Sequence, residues 1–274
     1  MTLEKFMSVK LHVETAGPAE GRPVILIHGW PLSGKAWEHQ VPALVDEGFR
    51  VITYDRRGFG QSDKPEGGYD YDTLAQDLSD LIEAHDLKDV TLVGFSMGGG
   101  EVARYIRNHG EDRLRSVVFA SSVTPFMLRS GDNLQGPLTE EAAQEMESAL
   151  RKDRAAFFDQ FSRDFFSADG ELKVSEEERQ EAIALCEQSD PSAALQCMAA
   201  FGTTDFRDDL EKVTVPTLVL HGDADGIVPF VGSGARTGTH IKHSTTALIE
   251  GAPHGVNASH ANAFNASLIR FLND

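Results

Sequence analysis

The stretch that most constrains this chain is Asp89-Val-Thr-Leu-Val-Gly-Phe-Ser-Met-Gly-Gly-Gly100. Val90 to Val93 form a β-branched, apolar segment, Gly94-Phe95-Ser96-Met97-Gly98 follows, and helix-forming residues begin at Glu101. That order matches a nucleophile elbow, a strand-to-helix turn in which a strained serine projects its hydroxyl above the sheet edge. Gly94 and Gly98 suit the turn because a Cβ at either place would collide with the neighbouring strand or helix. The Met97 backbone N–H then falls at a helix start, free to bond an anion. Gly-x-Ser-x-Gly alone is a weak signal, since both residue types cluster in ordinary loops; the flanking strand and helix carry the reading.

At 274 residues the chain is long enough for one large α/β domain with an insertion. No apolar run approaches the roughly 18 residues of a membrane span, and Met1-Thr-Leu-Glu-Lys5 lacks the basic and apolar regions of a signal peptide. A cytoplasmic protein that contacts no membrane is therefore expected. The net charge of −18 is spread along the chain and repels polyanions, which argues against a nucleic-acid partner. Cys186 and Cys197 belong to no ligand pattern, so they read as buried, reduced thiols, and no metal site or cofactor motif is expected. Gly58 and Gly60 do not make a dinucleotide fingerprint, because a third glycine and a following helix are missing.

Read in order, residues 3–16 suit an antiparallel strand or hairpin at a sheet edge. Pro23 to His28 is a continuous apolar run that fits a strand covered on both faces and ends in His28-Gly29-Trp30-Pro31. Ligands collect at the carboxyl ends of such strands, so this turn belongs beside the elbow if the two strands are neighbours. Gly29 would let the Trp30 N–H point into the same space as that of Met97, and two such donors form an oxyanion hole. Alternatively, His28 and Trp30 are only strand-end packing residues. A helix is expected over 33–47, a strand over 50–55, a helix from Asp72 to about His85, and a strand over 116–120.

Residues 124–212 break the alternation of strand and helix, and they read as a helical cap dividing a core of residues 1–123 and 213–274. Phe157, Phe158, Phe161 and Phe165 recur at helical spacing and, with Phe126, either roof an apolar pocket or hold the cap down. Beyond the cap, Val215 to His221 reads as a strand leading into Gly222-Asp-Ala-Asp-Gly-Ile-Val-Pro229. Asp225 is better placed than Asp223 to reach a histidine, and Asp223 suits a turn cap. A last strand over 245–249 leads to His254, flanked by Pro253 and Gly255 in a loop. The order Ser96, Asp225, His254, each after a different strand, suits nucleophile, orienting acid and general base.

With His28-Gly-Trp-Pro31, Asp55-Arg-Arg-Gly-Phe-Gly-Gln-Ser62, His221-Gly-Asp-Ala-Asp225, Ile227-Val-Pro-Phe230 and Ala252-Pro-His-Gly255, the chain resembles the α/β-hydrolase superfamily over nearly its whole length. It is most similar to the bacterial arylesterase branch, also called cofactor-free haloperoxidases or perhydrolases. The resemblance implies a mostly parallel eight-stranded sheet with helices on both faces and a cap after the sixth strand. It also implies a serine carboxylesterase that cleaves small esters through an acyl-enzyme, cleared by water or by hydrogen peroxide. Trp30, Phe126, Phe158, Phe161, Ile227 and Val228 are expected to contact substrate. Pro31, directly after an oxyanion donor, is expected to bias that loop toward peroxide. Val256-Asn257 departs from the aromatic residues common after the histidine in this branch, which bears on the shape of the pocket.

Within the superfamily, Ser96 argues against haloalkane dehalogenases and epoxide hydrolases, whose nucleophile is a carboxylate. Carbon–carbon bond hydrolases, hydroxynitrile lyases and lactonases share the serine triad and stay open as alternatives. So does a non-catalytic small-molecule binding protein on the same fold, which an organophosphonate would fail to label. Homo-oligomerisation is equally open.

Overall fold

The computed structural model describes residues 9–274. β1 (Val13–Ala16) is followed by β2 (Pro23–Ile27), α1 (Gln40–Asp46), β3 (Arg50–Tyr54), α2 (Tyr71–Ala84), β4 (Val90–Phe95), α3 (Met97–His109) and β5 (Leu114–Ala120). Next come α4 (Glu140–Lys152), α5 (Arg154–Phe166), a short hairpin of β6 (Ser167–Ala168) and β7 (Glu171–Leu172), α6 (Glu176–Glu187), α7 (Pro191–Thr203) and α8 (Arg207–Leu210). The chain closes with β8 (Thr217–Gly222), α9 (Gly234–His240), β9 (Ser244–Ile249), α10 (Val256–Ser259) and α11 (Ala261–Asn273).

The main sheet runs β1-β3-β2-β4-β5-β8-β9, with β1 antiparallel and every other pairing parallel. Burial follows position in the sheet. β4 and β8 are buried at every residue, as interior parallel strands covered on both faces must be, whereas β1 and β9 at the edges keep exposed positions. Neighbouring residues of β4 face opposite layers: Gly94 lies against α3, while the Phe95 ring meets Trp37 and is followed in that layer by Phe264 of α11. The β2–β4 register pairs Ile27 with Gly94, so the two strands end side by side.

Three expectations are corrected. Among the described residues the main sheet has seven strands rather than eight: the 3–16 stretch supplies one strand, β1, and residues 3–8 lie outside the described residues. The inserted helices accordingly follow the fifth strand, not the sixth. The helix expected over 33–47 is divided into a 3-10 turn at Gly34–Trp37 and α1. Pro42 explains the break, because its ring would clash with the Glu38 carbonyl in a continuous helix but is tolerated in the first turn of a new one.

Local sequence sets the remaining boundaries. Asp70 caps α2 by accepting the Thr73 N–H at 3.0 Å, and Ser175 with Glu178 forms a capping box on α6. Asp190 caps α7 just before Pro191, whose missing N–H costs nothing at the first helical position. Cys186 and Cys197 are both buried and unpaired, and burial pushes each thiol up to about 12. No described helix is long and apolar enough to cross a membrane.

Candidate active site

Ser96 stands between β4 and α3 with φ 54° and ψ −117°, a left-handed conformation that costs a non-glycine residue of order 1–3 kcal/mol. The surroundings hold it there. Its N–H donates to the Ala120 carbonyl at 2.8 Å, and its own carbonyl accepts from Gly99 and Val123. A Cβ on Gly94 would come within 2.5 Å of the Gly98 carbonyl oxygen, and one on Gly98 within 2.6 Å of the Ile27 carbonyl oxygen. Strand and helix can approach closely enough to make the elbow only because both positions lack a side chain.

Three side chains far apart in sequence meet at this edge. Ser96 Oγ lies 2.9 Å from His254 Nε2, and His254 Nδ1 lies 2.7 Å from Asp225 Oδ2. The other carboxylate oxygen of Asp225 accepts the N–H groups of Ile227 and Val228 at 3.0 and 2.8 Å, so the turn itself fixes the acid. On the far side, His221 Nε2 is 3.3 Å from the same Oδ2 and donates to the Val228 carbonyl at 2.8 Å. Burial pushes the Asp225 carboxyl up, but His254 and His221 outweigh that effect and hold it well below the usual carboxylate range. An ionised Asp225 makes His254 Nδ1 the donor, which leaves Nε2 free to accept the Ser96 proton. Asp223, by contrast, binds the Gly251 N–H at 2.7 Å and serves the turn.

The loop after β2 closes the opposite side. A Cβ on Gly29 would lie 3.1 Å from Ser96 Cβ, which measures how near this loop passes to the hydroxyl. Among the described residues neither the Trp30 nor the Met97 backbone N–H meets a protein acceptor, although both residues are buried. Buried N–H groups without partners are rare, and a pair flanking a serine suits a developing anion. His28 is not mere strand-end packing. Its Nδ1–H donates to the Gly29 carbonyl at 2.8 Å, while Nε2 accepts the Arg56 backbone N–H at 2.9 Å, which fixes one neutral tautomer. Burial, then the Arg56 charge, holds His28 well below its ordinary value of 6.5, against the opposing pull of the Gly29 bond.

The inserted helices reach the site through aromatic rings. Trp30 meets Phe157, Phe158, Phe161 and Phe201 edge-on at 5.3–6.3 Å, and its indole N–H donates to the Ala194 carbonyl of α7 at 2.9 Å. Phe165 stands edge-on to His254, and its carbonyl accepts the Gly255 N–H at 2.8 Å. The side chains named from sequence divide accordingly. Trp30, Phe158 and Phe161 come together, whereas the Phe126 ring lies under the Arg207 guanidinium, 5.5 Å away. Ile227 and Val228 contribute backbone N–H groups to Asp225 as well as apolar side chains packed on the core. A cavity of about 360 Å³ lies against Phe165, bounded by the apolar Leu32, Phe166, Ala182 and Leu185 and by the charged Lys35, Glu38, Glu178 and Glu181.

Sequence reading passed over Arg56 and Glu101. Both are buried, and the Arg56 Nη2 to Glu101 Oε2 distance is 2.6 Å. Burial disfavours the Arg56 charge, but Glu101 overrides it and keeps Arg56 a cation. No sequence signal joins them: Arg56 stands between the charged Asp55 and Arg57, 45 residues before Glu101.

The family model for the alpha/beta hydrolase fold matches residues 22–261. The chain is 42% identical to a putative non-heme chloroperoxidase from Synechocystis sp., over 98% of this chain and 97% of the relative. It is 34% identical to a bifunctional esterase/perhydrolase from Acinetobacter calcoaceticus, over 93% of each. Among solved structures, a bromoperoxidase from Bacillus anthracis superposes with a TM-score of 0.95 at 51% identity, covering 97% of this chain and 96% of that one.

Proposed function

The chain belongs to the alpha/beta hydrolase fold family, and we propose that it is an esterase-type hydrolase that cleaves small carboxylic esters through a Ser96 acyl-enzyme. The observation that carries this reading is the unbroken hydrogen-bonded chain from Ser96 Oγ through His254 to Asp225, at 2.9 and 2.7 Å. Ser96 attacks the ester carbonyl as His254 Nε2 takes its proton, and Asp225 orients the imidazole and stabilises its cation. The Trp30 and Met97 N–H groups bind the tetrahedral oxyanion, a role in which one donor is worth roughly 3 kcal/mol. His254 then passes its proton to the leaving alcohol. Water, activated by the same histidine, clears the acyl group and frees Ser96.

Hydrogen peroxide replaces water in a second outcome, releasing a peracid that can oxidise halide in solution. The esterase/perhydrolase and chloroperoxidase names of the relatives support this branch. Residues 124–212 act as the cap, with Trp30, Phe158 and Phe161 walling the substrate and Phe126, Ile227 and Val228 at its margin. The discriminating experiment is p-nitrophenyl acetate hydrolysis by the wild type and by Ser96→Ala. Loss of turnover in the variant is expected; retained turnover would remove Ser96 as nucleophile.

A further inference from the structure

From the geometry we infer that the buried Arg56–Glu101 pair is a positioning device that sets the spacing of the two oxyanion donors. The inference rests on the reading of Trp30 and Met97 as those donors. Glu101 lies one helical turn beyond Met97 on α3, so it moves with the helix start that carries one N–H. Its Oε2 accepts Arg56 Nε at 2.9 Å and Nη2 at 2.6 Å, and its Oε1 accepts the Tyr54 hydroxyl at 3.1 Å.

Arg56 carries the link to the other donor. Its Nη2 also donates to the His28 carbonyl at 2.8 Å, and its backbone N–H donates to His28 Nε2 at 2.9 Å. The acceptor role forced on Nε2 leaves the proton on Nδ1, which donates to the Gly29 carbonyl at 2.8 Å. That carbonyl belongs to the peptide whose N–H is Trp30's. In a trans peptide the C=O and N–H point in opposite directions, so pinning the oxygen aims the N–H. An unbroken set of buried bonds thus joins the helix bearing Met97 to the loop bearing Trp30.

A merely stabilising ion pair would not need this connectivity. Buried pairs can often be exchanged for apolar residues of similar volume with little loss of stability, so the exchange separates positioning from folding. The test is the double variant Arg56→Met with Glu101→Leu, compared with the wild type for p-nitrophenyl acetate kinetics and for affinity toward a trifluoromethyl ketone. Oxyanion donors act in the transition state, so kcat should fall about 100-fold with KM nearly constant, and ketone affinity should fall by a similar factor. A shifted melting temperature with kcat, KM and ketone affinity all as in the wild type would overturn the role.

If the double variant does not fold, Glu101→Gln keeps the side-chain shape and one acceptor for Arg56. Its kcat should fall about tenfold with KM unchanged, and a wild-type kcat would again overturn the role. An organophosphonate separates the two layers of the argument. A wild type that resists labelling at Ser96 removes the esterase reading and the positioning role with it. A labelled wild type whose variants match it in kcat removes the positioning role alone.

Discussion

The ring of Phe165 stands perpendicular to that of His254, with centroids 5.0 Å apart and an interplanar angle of 88°. One face of the inserted helices thereby rests on the proposed base, and Phe165 also borders the cavity of about 360 Å³. In the proposed mechanism the leaving alcohol departs on the side of His254, which protonates it. Phe165→Ala should therefore join the cavity to the site and raise kcat/KM for esters of bulky alcohols relative to ethyl esters, by about tenfold. It should also cost about 3 kcal/mol in urea denaturation, as a buried phenylalanine does. An unchanged preference would mean that Phe165 does not partition the two spaces.

Asp225→Asn tests the orientation of the imidazole. Because Oδ1 is engaged by the Ile227 and Val228 N–H groups, the amide nitrogen must occupy the Oδ2 position and point its hydrogen at His254 Nδ1. That drives the imidazole proton to Nε2, where it cannot accept from Ser96. Ester turnover should fall about 10⁴-fold with the fold intact, the loss seen for the matching change in serine proteases. A loss of only a few-fold, with native circular dichroism, would contradict the role.

Much of this site was legible in the sequence because its parts lie where chemistry and backbone coincide. Ser96, Asp225 and His254 each follow a strand in a turn rich in Gly or Pro, and β2, β4 and β8 are dominated by apolar residues since both faces are covered. What stayed hidden depends on partners rather than on pattern. Helical spacing groups Phe157, Phe161 and Phe165 on one face, but it does not say that the first two meet Trp30 and the third His254. Nor does spacing connect Arg56 with Glu101, or reveal that Pro42 restarts the helix expected over 33–47. The count of eight strands came from the resemblance, and short, half-exposed segments such as β1 carry too few residues for alternation to correct it.

His28 gives the fold a pH signature. Its folded-state pKa is lowered, so below pH 6.5 the unfolded chain takes up a proton that the folded chain refuses. This contribution to stability is complete above that pH, is lost as pH falls below it, and levels off once the folded form also protonates. His28→Gln should remove up to about 1.4 kcal/mol per pH unit of that slope, read from urea midpoints between pH 7.5 and 5. Identical slopes in the two proteins would show that His28 titrates normally in the fold.

Pro31 is buried in the turn closed by the Leu32 N–H bond to the Gly29 carbonyl, directly after one proposed oxyanion donor. Pro31→Leu changes the shape of that turn beside the proposed site of attack by water or peroxide. The ratio of peracid formation to ester hydrolysis should drop about tenfold, since small displacements near reacting atoms carry large rate effects. A constant ratio across acetate and propionate substrates would separate Pro31 from nucleophile choice.

Reaction with a fluorophosphonate, followed by peptide mass spectrometry, probes covalent attack without assuming any natural ester. A single adduct is expected on the peptide containing Ser96, absent in Ser96→Ala and formed far more slowly in Asp225→Asn. Steady ester turnover by a wild type that stays unlabelled, or that carries its adduct on another residue, would contradict nucleophilic catalysis by Ser96.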